Sequence, residues 1–323
     1  MNKELWEYYD DLEDNGDPGL VPVSSQTGKL SKERIRKKLE GEEQEFIAAQ
    51  DSSRSTFQFT YKAARFESWW LLESLNEFYA DHWIADVLRS VKGGKEASVY
   101  QCRGGASISS SFAAVKVYRP RSLRNLRNDH LYRQGRPDLD GEGRIIFDDR
   151  MLHAMEKKTQ FGKELLHQSW VAYEFTSLQN LFAAGADVPE PFHMANNAIL
   201  MEYIGTETSA APALSEIRLE RSEARSLLDR VLENIQILLH HERIHGDLSA
   251  YNILYQEGRI ALIDFPQVIS PRINRNAYQI FCRDVERVCA YFKQQGVKAD
   301  AAGLANDLWV SQGYLRPDPD SDN

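Results

Sequence analysis

His245-Gly246-Asp247-Leu248-Ser249-Ala250-Tyr251-Asn252 is followed ten residues later by Leu262-Ile263-Asp264-Phe265-Pro266. Asn252–Tyr255 and Arg259–Ile263 read as two short apolar strands joined by a turn at Glu257-Gly258. Asp264 then stands at the end of one strand and Asn252 at the start of its neighbour. Asp247 lies five positions before Asn252, in the loop that leads into the hairpin. A lone Asp after a strand is usually a turn or cap residue. The ordered set of loop Asp, amide and strand-end Asp is far more specific.

Magnesium takes oxygen ligands, usually one or two carboxylates together with phosphates and waters. Moving a γ-phosphoryl group needs cations on the phosphate oxygens and something to position the acceptor. Asp264 and Asn252 offer the metal donors, which leaves Asp247 to orient an attacking hydroxyl or water. The order matches the protein-kinase pattern H-R-D-x-x-x-x-N followed by D-F-G, with Gly246 in place of the Arg and Pro266 in place of the Gly.

Upstream, Val115-Lys116-Val117 puts a lysine into an apolar strand over Phe112–Tyr118. Lysine is almost never fully buried unless paired. Read with the downstream motif, Lys116 is a ligand for the ATP phosphates. A glycine turn precedes it, Lys92-Gly93-Gly94-Lys95-Glu96-Ala97-Ser98-Val99-Tyr100. Gly93, Gly94, Lys95, Ser98 and Val99 are the candidate nucleotide contacts there, since glycines let backbone N–H groups approach phosphate. Glu174, on a helical pattern with Trp170 and Leu178, is the candidate anion for Lys116. Met201-Glu202-Tyr203-Ile204-Gly205 ends a strand and reads as a hinge. Met201, Glu202 and Ile204 would face the adenine there, with backbone groups of Glu202 and Ile204 bonding it.

The remaining chain frames this set. The formal net charge of −9 argues against general coating of nucleic acid, although a local basic patch is compatible with it. A hydrophobic fraction of 42% and an aromatic fraction of 11% suffice for a real core. Cys102, Cys282 and Cys289 fit no metal or disulfide spacing, which suits reduced thiols. With neither a signal core nor a membrane span, the expected setting is cytoplasmic.

Residues 1–65 read as an acidic, largely disordered extension, with Ser31 a possible N-cap of a charged helix. Residues 66–83 read as a helical segment packing on the catalytic domain. That domain is expected over 84–313, as a sheet-rich lobe at 84–200, a hinge at 201–205 and a helical lobe at 206–313. A flexible tail at 314–323 completes the chain. One helical pattern runs from about Asp148 to Ala184 and another from Leu214 to Arg243. Residues 119–147 are polar and turn-rich, and are expected to be mobile.

These motifs resemble the RIO family of atypical serine/threonine protein kinases. The resemblance rests on residues 94–100 and 114–118, on Trp170 with Glu174, on Val188-Pro189-Glu190-Pro191, and on residues 245–254 and 263–267. It implies an α+β, two-lobed, protein-kinase-like fold with a truncated large lobe that lacks an activation loop. It implies ATP with Mg²⁺ or Mn²⁺ held by Asn252 and Asp264, a catalytic Asp247, and a Lys116–Glu174 pair. The acceptor would be an unknown protein or the chain itself, with ATP hydrolysis as an alternative outcome. Members with known cellular roles act in ribosome maturation, so a ribosomal particle is a partner suggested by analogy. The family's insertion between lysine and helix glutamate is here a basic segment with Arg119, Arg121, Arg124, Arg127, Arg133 and Arg136. Ser122 is its candidate acceptor.

His241-Glu242-Arg243-Ile244-His245 matches the zinc motif H-E-x-x-H, but Gly246 breaks a helix directly after it and no third ligand follows. A small-molecule kinase of the aminoglycoside or choline type is a rival, though such enzymes usually carry a larger helical acceptor region. A catalytically inactive nucleotide-binding scaffold is another. Retention of Lys116, Asp247, Asn252 and Asp264 together argues against it.

Overall fold

The computed structural model describes residues 57–94, 96–119, 134–195 and 197–316. The expectations for the N-terminal extension before Phe57, for Lys95, for most of the basic insertion with Ser122, and for the end of the tail lie outside these residues. Among the described residues the chain forms two compact units, 57–109 with 115–119 and 110–114 with 134–316. The division passes through strand β3.

In the first unit, helix α1 (Arg65–Ala80) precedes β1 (Ile84–Gly93), β2 (Ala97–Gly104) and β3 (Phe112–Tyr118). The strand order is β1-β2-β3, and the β1–β2 pair is antiparallel. Helix α1 forms where the aromatic spacing predicts it. Leu71, Leu75 and Phe78 at i, i+4 and i+7 are all fully buried, with Trp70 beside them. Glu67 ties the helix down. It accepts from the Ala64 N–H (3.3 Å) and from the hydroxyls of Tyr61 (3.2 Å) and Tyr100 (2.7 Å). Burial, together with the Glu67 charge, pushes the Tyr100 hydroxyl well above its usual range.

The second unit holds α2 (Asp149–Glu156), α3 (Gln160–Ala183), the antiparallel hairpin β4 (Pro191–Ala195) and β5 (Ala198–Glu202), then α4 (Arg221–His240). The hairpin β6 (Ile253–Gln256) and β7 (Arg259–Leu262), and the helices α5 (Ala277–Gln294) and α6 (Ala301–Ser311), complete it. One apolar core runs through it, from Val188 and Leu214 through Leu238, Ile253 and Phe265 to Val288 and Trp309. Mixed helix with antiparallel strand is the expected α+β class. Only Phe265–Asn276 separate Asp264 from α5, so the expected lack of a long activation segment is met. No helix among the described residues is long and apolar enough to cross a membrane.

Three sequence expectations need correction. The helical run from 148 to 184 is two helices. Lys158 takes a left-handed backbone (φ 51°) and the Thr159 hydroxyl caps α3 by accepting from the Gly162 N–H at 3.0 Å. The helices cross so closely that a Cβ on Gly162 would sit 1.8 Å from the Ala154 carbonyl oxygen. The run from 214 to 243 is a single turn at Leu214–Glu216 and then α4, which stops at His240 because Glu242 is left-handed (φ 56°).

The basic insertion is also not free throughout. Arg119 is buried and its N–H bonds the Glu96 carbonyl oxygen at 2.9 Å. Residues 134–147 form a knitted turn. Leu139 pairs with Ile145, the Leu139 N–H bonds Ser169 Oγ at 2.9 Å, and Asp140 accepts from the N–H groups of Glu142 and Arg144. These bonds, with the Arg144 cation, hold the Asp140 carboxyl below the usual carboxylate range against its desolvation.

Candidate active site

The loop that carries Asp247 is built from its backbone outward. Ile244 exchanges two hydrogen bonds with Ile269 (2.9 and 3.0 Å), which fixes the loop's entry. His245 is buried. Its Nε2 donates to the Ile263 carbonyl oxygen (3.1 Å) and its Nδ1 accepts from the Asp247 N–H (3.3 Å), a pair of bonds that only the neutral Nε2–H tautomer can make. Its ring lies 4.8 Å from that of Phe265, centre to centre. Gly246 is left-handed (φ 84°), and a Cβ there would stand 2.2 Å from the Gln267 carbonyl oxygen. No side chain fits, which explains why this chain lacks the arginine of the general kinase pattern.

Asn252 ends a single turn at Ala250–Asn252 and is buried. Its Nδ2 donates to the Asp247 carbonyl oxygen at 2.9 Å, so the amide nitrogen faces the loop and Oδ1 takes no part in that bond. The Asn252 carbonyl oxygen accepts from the Ile263 N–H at 3.0 Å. This places the residue before Asp264 directly against Asn252. Asp264 itself is exposed and left-handed (φ 71°), a conformation that non-glycine residues rarely adopt and that concentrates at functional sites. The loop Asp, the amide and the residue before the strand-end Asp are thus linked within one unit, by one side-chain bond and one backbone bond to main-chain carbonyl oxygens. Both Asn252 Oδ1 and the Asp264 carboxylate suit a hard cation.

Other predicted residues fall as follows. Glu174 is buried on α3, and Lys116 is buried on β3 with its ammonium 5.2 Å from the Tyr118 ring centre. Gly93 pairs with Ser98 across the β1–β2 hairpin, and the Gly94 N–H closes the turn on the Ala97 carbonyl oxygen at 2.9 Å. Val99 pairs with Lys92. Met201 and Glu202 end β5. The Glu202 N–H already bonds the Glu190 carbonyl oxygen (2.8 Å), and the Ile204 carbonyl oxygen accepts from the Ala211 N–H (2.9 Å). The Glu202 carbonyl and the Ile204 N–H take no part in these two bonds. A carbonyl and an N–H of this kind would suit an adenine.

The zinc motif does not form. His241 lies past the last residue of α4 and Glu242 turns the chain away, so the two histidines share no helical face. No group of three or more His, Cys, Asp or Glu suited to a metal occurs among the described residues.

Four residues of the site escaped the sequence reading. Asp284 of α5 is buried, and its Oδ2 accepts from the Gly246 N–H at 2.8 Å. Arg283 donates to the Gly246 carbonyl oxygen. Arg287 Nη1 lies 2.7 Å from Asp247 Oδ1. Arg136 Nη2 bonds the carbonyl oxygens of Pro266 and Val268, both at 2.8 Å, while its guanidinium covers the Tyr173 ring at 4.6 Å. The signal for Asp284 was present, since it interrupts the apolar stripe Ile280, Phe281, Val285, Val288.

Burial raises the Asp284 carboxyl to about 7, helped by the Asp247 charge and opposed by Arg283 and by the N–H groups of Gly246 and Leu248. The folded chain therefore keeps a proton that the unfolded chain releases near the ordinary carboxylate value. This stability is fully present below that value and is lost as pH rises to about 7. We expect thermal stability to fall across this window with a slope near 1.4 kcal/mol per pH unit from this group. Asp284→Asn should flatten the fall. Parallel curves for the two proteins in thermal melts between pH 5 and 8 would refute the assignment.

A family model, the RIO domain, matches residues 98–304. The RIO-type serine/threonine-protein kinase Rio1 of Haloferax volcanii is 30% identical over 225 residues, 69% of this chain and 69% of that protein. Rio1 of Thermoplasma acidophilum is 24% identical over 195 residues, 60% of this chain and 92% of that one. The serine/threonine-protein kinase rio1 of Schizosaccharomyces pombe is 28% identical over 188 residues, 58% of this chain but 34% of its own length. The matched span contains the histidine–glycine–aspartate loop, the amide that its carbonyl orients and the left-handed aspartate after β7. The chain belongs to the RIO family of atypical serine/threonine protein kinases.

Proposed function

We propose that this chain transfers the γ-phosphoryl group of ATP to hydroxyls of its own chain, to a protein acceptor or to water, with Asn252 and Asp264 as the metal-binding pair. The observation that carries this reading is the Asn252 amide. Its nitrogen is committed to the Asp247 carbonyl oxygen, which leaves Oδ1 out of that bond, and its own backbone carbonyl oxygen accepts from the N–H of Ile263, the residue before Asp264. Mg²⁺, with Mn²⁺ as a substitute, would supply charge neutralisation on the β- and γ-phosphate oxygens.

Asp247 orients the acceptor hydroxyl and takes its proton as the new P–O bond forms and the bond to the ADP oxygen breaks. Lys116 would neutralise phosphate charge, aimed by Glu174, whose burial calls for a cation or donors. Gly93, Gly94, Lys95, Ser98 and Val99 would cover the phosphates. Met201, the Glu202 carbonyl and the Ile204 N–H would receive the adenine. The three cysteines are free thiols, which fits a cytoplasmic setting. A ribosomal particle is the partner class that the family suggests.

Incubation with γ-labelled ATP and Mg²⁺ tests the reading. Label should appear on the protein, in free phosphate, or both, and general peptides should be poor acceptors. Efficient transfer to an aminoglycoside or a choline-like alcohol instead would overturn it.

A further inference from the structure

Helix α5 holds the Asp247 loop through three consecutive points on one face. Arg283 takes the Gly246 carbonyl oxygen, Asp284 takes the Gly246 N–H, and Arg287, one turn on, takes Asp247 Oδ1. The first two fix backbone atoms. Only the third reaches the side chain that the proposed function assigns to the acceptor, and the inference rests on that assignment. The Arg287 and Asp247 side chains are 43% and 40% exposed, so their ion pair contributes little to folding. Its effect is on geometry. An aspartate side chain has several staggered rotamers open to it, and a charge-assisted bond to one oxygen selects among them. That bond occupies Oδ1 and leaves Oδ2 for an acceptor hydroxyl.

We propose that Arg287 is the positioning residue for Asp247, holding the carboxylate in the rotamer that receives the acceptor proton. Arg287 is placed to act on the phosphoryl-transfer step through Asp247, and it belongs to no part of the metal pair or the hinge. Its loss should therefore lower kcat and leave ATP binding intact.

The test uses the full chain and compares the wild type with Arg287→Ala and Arg287→Lys in ATP hydrolysis and self-labelling with Mg²⁺. We expect Arg287→Ala to lose about tenfold to a hundredfold in kcat, the range for a misplaced catalytic group. KM for ATP should stay within about twofold, since uniform binding is untouched. The melting temperature should be unchanged. Arg287→Lys should retain an intermediate rate, and added guanidinium ion at non-denaturing concentration should restore part of the Arg287→Ala rate without accelerating the wild type.

Wild-type kcat in Arg287→Ala, or a higher one, would overturn the inference and leave the proposed function standing. So would a loss that neither lysine nor guanidinium repairs, which would mark a merely structural contact. A wild type without any turnover would instead sink the proposed function itself, and the inference with it.

Discussion

Asp264→Ala and Asp264→Gly should both lose turnover by about a thousandfold or more, the scale set by several kcal/mol of metal-supported charge stabilisation. The two should differ in stability. Asp264 holds φ at 71°, where a Cβ is unfavourable and only Asn, Asp and Gly are tolerated readily. Alanine keeps the steric conflict and lacks a polar side chain that bonds locally, so Asp264→Ala should melt lower than the wild type. Glycine removes the conflict, so Asp264→Gly should melt at least as high, by up to about 1 kcal/mol. An inactive protein that is also more stable would show that strain is held at this position for its carboxylate. Measured rates of ATP consumption and thermal melts settle both halves. Wild-type turnover in Asp264→Gly would remove Asp264 from the metal pair.

What the sequence made legible is what is local along the chain. Strand β3 falls on the residues expected for it, because FAAVKVY is a continuous β-rich run. Asp247, Asn252 and Asp264 were readable because a loop, a turn and a hairpin of under twenty residues place them. Strand β1 was missed. Its burial does not alternate, since register shifts interrupt its pairing three times between Ile84 and Lys92. Strand β4 was missed because it is short, half-buried and begins with a proline.

The supports of the site were illegible for a different reason. Asp284 bonds a group 38 residues away, Arg287 one 40 away, and Arg136 one 132 away. Such separations leave no local trace of the partner, even at Asp284, where the break in an apolar stripe marks the residue but not what it bonds. Arg136 in particular read as one more charge in a basic insertion, whereas it braces the carbonyls just after Asp264. The glycine at 246 was legible as a departure from the kinase pattern, but its cause, the Gln267 carbonyl, is tertiary.

Asp247→Asn should bind ATP like the wild type and lose phosphoryl transfer by about a hundredfold to ten-thousandfold, the usual contribution of a positioned acid–base group. The structure makes this substitution a clean one. Asn252 is oriented by the backbone carbonyl of residue 247 and not by its side chain, so the metal pair keeps its geometry in the mutant. The loop backbone is likewise held from outside, by the Asp284 carboxyl on the Gly246 N–H and by His245 on the Ile263 carbonyl oxygen. Apart from relieving the Asp247 charge on the buried Asp284 carboxyl, two features change. The amide cannot accept a proton, and Arg287 loses its anion, keeping at most a neutral amide oxygen. Nucleotide affinity measured by titration should therefore stay within a few-fold, because no ATP-facing group has moved. Self-labelling from γ-labelled ATP should fall steeply at the same time. Retention of the wild-type labelling rate would show that residue 247 neither orients the acceptor nor receives its proton. A parallel loss of ATP binding would show instead that Asp247 serves the nucleotide, and the division of labour between Asp247 and the Asn252–Asp264 pair would have to be redrawn.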